Sequence, residues 1–229
     1  MKTRPFWLIG GLLFVVVRFG DADELTVDQQ SCIAAIAKIG GKITIDNDRP
    51  GKPAVAVELI GRDIKDTDLV HLAGLSDVEN LTITSRRITD DGLKHLERLS
   101  NLRSLRLKSN AFTGTGLAHL HGLMNLRELD LCCSFHYTDE GFANLRNLIN
   151  LRKLRFFGVN LSDETLRNLT DMSSLEDLQI SYTHVTDLGL EHLKEMKSLR
   201  KLNLQNQSKV TRAGIKSLQT ALPDCEITR

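Results

Sequence analysis

Apolar residues return along this chain in pairs two positions apart, and the pairs return every 24 or 25 residues. Val57, Leu81, Leu105, Leu129, Leu154, Leu178, Leu202 and Ile227 open the pairs, at steps of 24, 24, 24, 25, 24, 24 and 25. Leu59, Ile83, Leu107, Leu131, Phe156, Ile180 and Leu204 complete all but the last. A spacing of two puts both side chains on one side of an extended backbone, so each pair predicts a short strand with one buried face. Between the pairs, Thr89, Thr113, Thr138, Ser162, Thr186 and Thr211 share one column, and Leu93, Leu117, Phe142, Leu166, Leu190 and Ile215 share another. Leu93, Leu96 and Leu99 are three apart, which is one face of a helix or 3₁₀ segment. The Thr-Asp pair before them supplies oxygens for the N–H groups at a helix start. The phrase ITDDGLKHL at 88–96 and its near copy VTDLGLEHL at 185–193 are therefore one structural part, used once per unit.

A strand and a helix this short cannot bury their apolar faces alone, but stacked neighbours can. Strands pack about 4.8 Å apart and helices about 8–10 Å, so the stack curves with its strands on the inside. The stretch LSNLRSLRLKSNAFTGTGLAHL at 99–120 resembles the leucine-rich repeat pattern LxxLxLxxN. The ITDxGLxxL phrase is similar to the ribonuclease-inhibitor-like, cysteine-containing subtype shared by exported bacterial repeat proteins and by the repeat halves of F-box substrate receptors. The resemblance covers about residues 54–229. It implies an α/β fold: a right-handed solenoid with parallel strands on the concave face and helices or 3₁₀ segments on the convex face. It also implies a binding surface rather than an active site. The ninth-position Asn is present at Asn110 but replaced by Arg86, Ser134, Val159, Thr183 and Gln207, so a regular Asn ladder is not implied there.

The ends read differently. Residues 27–39 predict a helix with Ile33, Ile36, Ala37 and Ile39 inward. Two short strands around an Asp-Arg-Pro-Gly-Lys-Pro turn follow, which makes 23–53 an N-terminal cap before the repeats of 54–229. A last short strand closes the C-terminal end after Pro223. Residues 1–22 carry Lys2 and Arg4, an apolar run from Phe6 to Val17, and small residues at Gly20 and Ala22. That is the order of a secretory signal peptide, too short to span a bilayer comfortably. Export to the periplasm, cell surface or exterior is expected, with the membrane touched only through this segment if it is retained. No F-box-like segment precedes the repeats.

Composition narrows the chemistry. The formal charge is +1, with basic and acidic residues interleaved, so no nucleic-acid arm or polybasic patch is indicated. His71, His95, His119 and His192 share a column with Asn144 and Asn168. Helix spacing keeps that column too wide for one metal ion, so a polar link between neighbouring segments is expected, with no metal and no cofactor. Cys32, Cys132, Cys133 and Cys225 lie too far apart along the stack to be bridged, apart from the adjacent pair, and are expected as free thiols. No nucleophile, metalloprotease or phosphate-loop motif occurs, so the chain is not expected to be an enzyme.

The outward strand columns then become the informative surface. One reads Glu58, Thr82, Arg106, Asp130, Arg155, Gln179 and Asn203; the next reads Ile60, Thr84, Lys108, Cys132, Phe157, Ser181 and Gln205. Phe112, Tyr137, Phe142 and Phe156 fall in core columns. Phe135, Phe157 and Tyr182 do not, and aromatics beside Arg are what binding hot spots are made of. The candidate partner-binding band is Arg106, Lys108, Asp130, Phe135, His136, Arg155, Phe157, Gln179 and Tyr182. It predicts a monomeric, exported binding protein that holds another protein, or a cell-surface polymer, on its concave face. Two alternatives remain: an adaptor of a ubiquitin-ligase-type assembly, and a purely structural envelope protein.

Overall fold

A computed structural model describes residues 27–229, so the expected signal segment lies outside the described residues. The described chain forms one sheet of nine strands in sequence order: β1 (Lys42–Ile45), β2 (Ala54–Ile60), β3 (Asn80–Thr84), β4 (Ser104–Lys108), β5 (Glu128–Cys132), β6 (Lys153–Phe157), β7 (Asp177–Ser181), β8 (Lys201–Asn203) and β9 (Glu226–Thr228). β1 pairs antiparallel with β2, and every later pair is parallel. The column of pair-opening residues is the sheet register itself: Val57 sits opposite Leu81, then Leu105, Leu129, Leu154, Leu178, Leu202 and Ile227. Both members of each complete pair are buried, in one core that runs the length of the stack.

The opposite wall changes character along the chain. The first convex segments are 3₁₀ turns, at Asp66–Gly74, Asp90–Leu96 and Thr115–Leu120. From the middle onward α-helix appears: α2 (Asp139–Phe142), which continues as a 3₁₀ turn over Ala143–Asn147, then α3 (Asp163–Asn168), α4 (Asp187–Leu193) and α5 (Arg212–Ala221). α1 (Val27–Lys38) precedes the sheet and packs on the first 3₁₀ turn. Its Ile33 and Ile36 are buried, while Ala37, and Ile39 just past its end, are only half-buried. In the middle coils the interior is aromatic. Tyr137 and Phe142 stack with centroids 4.7 Å apart, Phe156 meets Phe142 edge-on at 5.2 Å, and Phe112 lies 6.4 Å from Tyr137.

Successive coils are joined by side chains as well as by the sheet. The Thr of the repeated phrase caps its own convex segment, as at Thr186, whose hydroxyl accepts from the Leu188 N–H. The Asp beside it behaves differently from the expectation. Instead of capping its own helix, Asp163 reaches forward and accepts the N–H of Thr186 at 2.8 Å and its hydroxyl at 2.6 Å. Asp66 does the same for Thr89, Asp90 for Thr113 and Asp187 for Thr211. The Gly of the phrase makes room for that carboxylate: a Cβ on Gly189 would lie 2.4 Å from Asp163 Oδ1, and one on Gly92 would lie 2.4 Å from Asp66 Oδ1. The series is broken twice. Asp139 accepts the hydroxyls of Ser162 and of Thr165, which stands in the glycine position. Gly114 occupies the Asp position, and there the Thr138 N–H donates to the backbone oxygen of Thr113 instead.

Two further columns do similar work. The buried hydroxyls of Ser85, Ser109 and Ser134 donate to the carbonyls of Ile64, Ile88 and Phe112 on the preceding coil. Ser134 thus plays the part of Ser109, although it lies one position later. Cys133, in the left-handed region at φ 61°, takes up the extra residue of that unit. An Asn series also exists, but in the turn before each strand: Asn101, Asn125 and Asn150 donate to Ser76, Ser100 and Met124 carbonyls.

Candidate functional site

Parallel pairing sets the outward columns side by side on the concave face. Arg106, Asp130, Arg155 and Gln179 are consecutive neighbours in one row; Lys108, Cys132, Phe157 and Ser181 are neighbours in the next. Asp130 is the hub. Its Oδ2 accepts from Arg106 Nε at 2.9 Å and from Arg155 Nη1 at 3.3 Å. Its Oδ1 accepts from the Cys132 thiol at 2.9 Å. Arg155 also lies over the Phe157 ring, 5.2 Å from its centroid, which is cation–π range. Phe157 meets Tyr182 edge-on at 5.2 Å. Five of the nine expected residues therefore form one continuous chain of contacts across four coils, running Arg106–Asp130–Arg155–Phe157–Tyr182.

The other four relate to it differently. Lys108 is exposed beside Arg106, and Gln179 donates to the Asp177 carboxylate at 3.3 Å. Phe135 and His136 fall on the loop after β5, where Phe135 remains 69% exposed. Two expectations change. Arg106 and Arg155 share the Asp130 carboxylate, so the cluster presents less positive charge than two unpaired guanidinium groups would. Cys132, placed in an outward column, is buried, and Ser181 likewise. Burial first, then the hydrogen bond to Asp130, pushes the Cys132 thiol up to about 12. Tyr182 projects from a left-handed backbone position at φ 57°, which aims its ring off the end of β7 and leaves it 54% exposed.

The His column behaves as a set of polar links where contacts form. His119 Nδ1 lies 2.6 Å from Glu97 Oε1 on the preceding coil, and Asn144 and Asn168 donate to Gly114 and Asp139 carbonyls. The four cysteines are free thiols. Among the described residues no three His, Cys, Asp or Glu side chains are grouped to hold a metal, and no helix is long and apolar enough to cross a membrane.

One feature escaped the sequence reading. A cleft of about 310 Å³ opens past the ends of β2, β3 and β4, lined by Ile60, Arg62, Thr84, Arg86, Lys108 and Asn110 among others. Its signal in the sequence is the 24-residue step from Arg62 to Arg86.

Comparison with known proteins agrees with this architecture. Residues 98–120 and 171–194 match the family described as Leucine Rich repeat. Each stretch runs from one convex turn through a strand to the next convex segment. Among solved structures, internalin C2 from Listeria monocytogenes is similar over 86% of this chain and 91% of its own, at 20% identity and a TM-score of 0.53. An internalin (inlF) from the same organism aligns over 73% of this chain and 58% of its own, at 17% identity and a TM-score of 0.38. The comparison with curated proteins found no match. The fold is a leucine-rich repeat solenoid.

Proposed function

We propose that this is a non-enzymatic binding protein that holds a macromolecular partner, a protein in the first place, on the concave band from Arg106 to Tyr182 after export. Solenoids of this kind offer extended concave surfaces on which many partners dock. One observation carries the assignment to the band: two aromatic rings, Phe157 and Tyr182, stand edge to face on the sheet beside an Arg already positioned by Asp130. Preordered aromatic and Arg side chains lose little freedom on docking, which is why they dominate interface energetics. A partner spanning four strands meets roughly 15–20 Å of sheet width. With strand length and loops added, that approaches the ~800 Å² per side of a standard interface.

The test is affinity capture from the envelope fraction of the source cell, followed by titration of the purified captured protein against three forms of the chain. Phe157→Ala with Tyr182→Ala should weaken binding by about 2 kcal/mol or more. Thr82→Ala, on the same face outside the band, should bind like wild type. Equal binding by the double variant would place the site elsewhere. Export has its own readout. Trp7 is the only Trp of the chain, so the mature native protein should lack indole fluorescence and begin near Asp23 by intact mass.

A further inference from the structure

We propose that the cleft past the ends of β2, β3 and β4 is a second subsite of the same surface, and that it receives an acidic segment of the protein partner through Arg62, Arg86 and Lys108. The inference rests on the reading of the concave face as a protein-binding surface and adds the chemistry of what binds beside the aromatic band.

Three observations carry it. The first is uncompensated charge. Arg62, Arg86 and Lys108 are all exposed and line one cleft, and among the described residues none of them pairs with a carboxylate. Asp63, the acid next to Arg62, faces Arg87 at 3.6 Å instead. Elsewhere on this face the guanidinium groups have an acidic partner, as Arg106 and Arg155 share Asp130. Arg62 and Arg86 occupy the same repeat position just past the ends of β2 and β3 and line the same cleft, so their like charges add there and favour an anion. The second observation is hydrogen-bonding supply. The Ser85 and Ser109 hydroxyls beneath the cleft are already committed to Ile64 and Ile88 carbonyls. The charged groups left to recognise a ligand are the two guanidinium forks and the ammonium, which suit carboxylate oxygens, with the Thr84 hydroxyl and Asn110 amide beside them.

The third observation selects a protein segment over a polyphosphate. The surrounding face is not uniformly basic: Glu58 is exposed on β2, and Asp130 lies one strand beyond Arg106. A long polyanion crossing the sheet would meet both carboxylates, whereas a few acidic side chains dropped into the cleft meet neither. Ile60 stands at the same cleft, 55% exposed, and offers an apolar contact that a peptide side chain can cover and a sugar-phosphate backbone cannot. Lys108 belongs to both places, so the cleft is continuous with the aromatic band.

The probe is a fluorescein-labelled peptide of alternating Glu and Leu, titrated against the full chain at low salt by fluorescence anisotropy. Binding should weaken about tenfold or more in R62Q/R86Q and to a smaller degree in K108Q, and it should fall as salt is raised. The same peptide with Gln in place of Glu should not bind. R98Q/R127Q, outside the cleft, should leave the titration unchanged, as should F157A/Y182A. The last variant separates this proposal from the partner reading: loss of the partner with retention of the peptide supports both, retention of the partner overturns the aromatic band, and loss of the peptide overturns a separate subsite. Equal binding by R62Q/R86Q would overturn the subsite. So would tighter binding of a single-stranded oligonucleotide of equal charge, or displacement of the peptide by an equal concentration of inorganic phosphate.

Discussion

Asp163 belongs to one coil and serves the next: both of its carboxylate oxygens are occupied by Thr186, one by the backbone N–H at 2.8 Å and one by the hydroxyl at 2.6 Å. Asp163→Ala removes both acceptors and leaves two part-buried donors without a partner, a change expected to cost about 1–3 kcal/mol in urea unfolding. Gly189→Ala should also destabilise, because its Cβ would fall 2.4 Å from Asp163 Oδ1. The two losses should not add. In the double variant the carboxylate that the added methyl group would strike is gone, so a double-mutant cycle should return a favourable coupling. Simple additivity would mean that the carboxylate and the glycine are independent.

Asp187 holds the same relation to Thr211, and the hydroxyl and N–H it accepts lower its pKa below the ordinary carboxylate value. A lowered folded-state pKa gives stability that is complete above the unfolded value of about 3.9 and is lost as pH falls below it through the folded value. Asp187→Asn should therefore flatten the acid limb of the urea midpoint against pH and leave the neutral-to-basic limb unchanged. A variant with the wild-type acid slope would remove this carboxylate from the acid sensitivity.

Tyr137 is buried within the aromatic interior, and its hydroxyl has no hydrogen-bond partner. Burial also drives its pKa well above the usual phenol value. An unsatisfied buried hydroxyl costs about 1–3 kcal/mol, so Tyr137→Phe should raise thermal stability, and the stacking on Phe142 should survive. A lower melting temperature would show that the hydroxyl contributes a bond.

The two adjacent thiols should separate chemically. Cys132 is buried and donates to Asp130, and its thiol is pushed up to about 12, while its neighbour Cys133 is half-buried on a turn. At pH 8 a maleimide should modify Cys133 well before Cys132 in the native protein. Asp130→Ala, which removes the acceptor and the charge that oppose ionisation, should speed the slow site. Equal native rates at the two sites would contradict the burial of Cys132.

The strand register was legible because it depends on arithmetic alone. Residues two apart share a face, residues 24 or 25 apart share a column, and Val57 through Ile227 line up as that spacing requires. The aromatic core followed from the same columns. What Asp163 binds was not legible, because its nearest candidates along the chain are the N–H groups of its own helix and stacking alone brings Thr186 within reach. The clue that was present is the glycine of the phrase, which has no merit as a helix former and makes sense only as space for a neighbour. Nor did the wording decide the type of convex segment: ITDDGLKHL closes as a 3₁₀ turn and VTDLGLEHL as an α-helix. In the band, Arg155 and Phe157 were placed on the outward face by their columns, and Tyr182 was singled out because it falls in no core column. The pairing of both Arg side chains with Asp130 depends on rotamers that no spacing reveals, and the cleft needs three separate loops to close around it.

The joints at Asp66, Asp90, Asp163 and Asp187 are assembled half from one unit and half from the next, with the carboxylate on the earlier side and the threonine and glycine on the later. Such joints are interchangeable. Removing residues 164–187 would fuse Ser162-Asp163 to Leu188-Gly189, restore the motif in a single stroke and hand Thr211 to Asp163. Lengthening by the same 24 residues would be equally silent. A gene of this kind can shed or duplicate whole coils by unequal recombination without inventing a contact, so the span of its concave face can be adjusted to the size of what it must hold. The unit that opens at Gly114 lacks the carboxylate half and cannot be shuffled so freely.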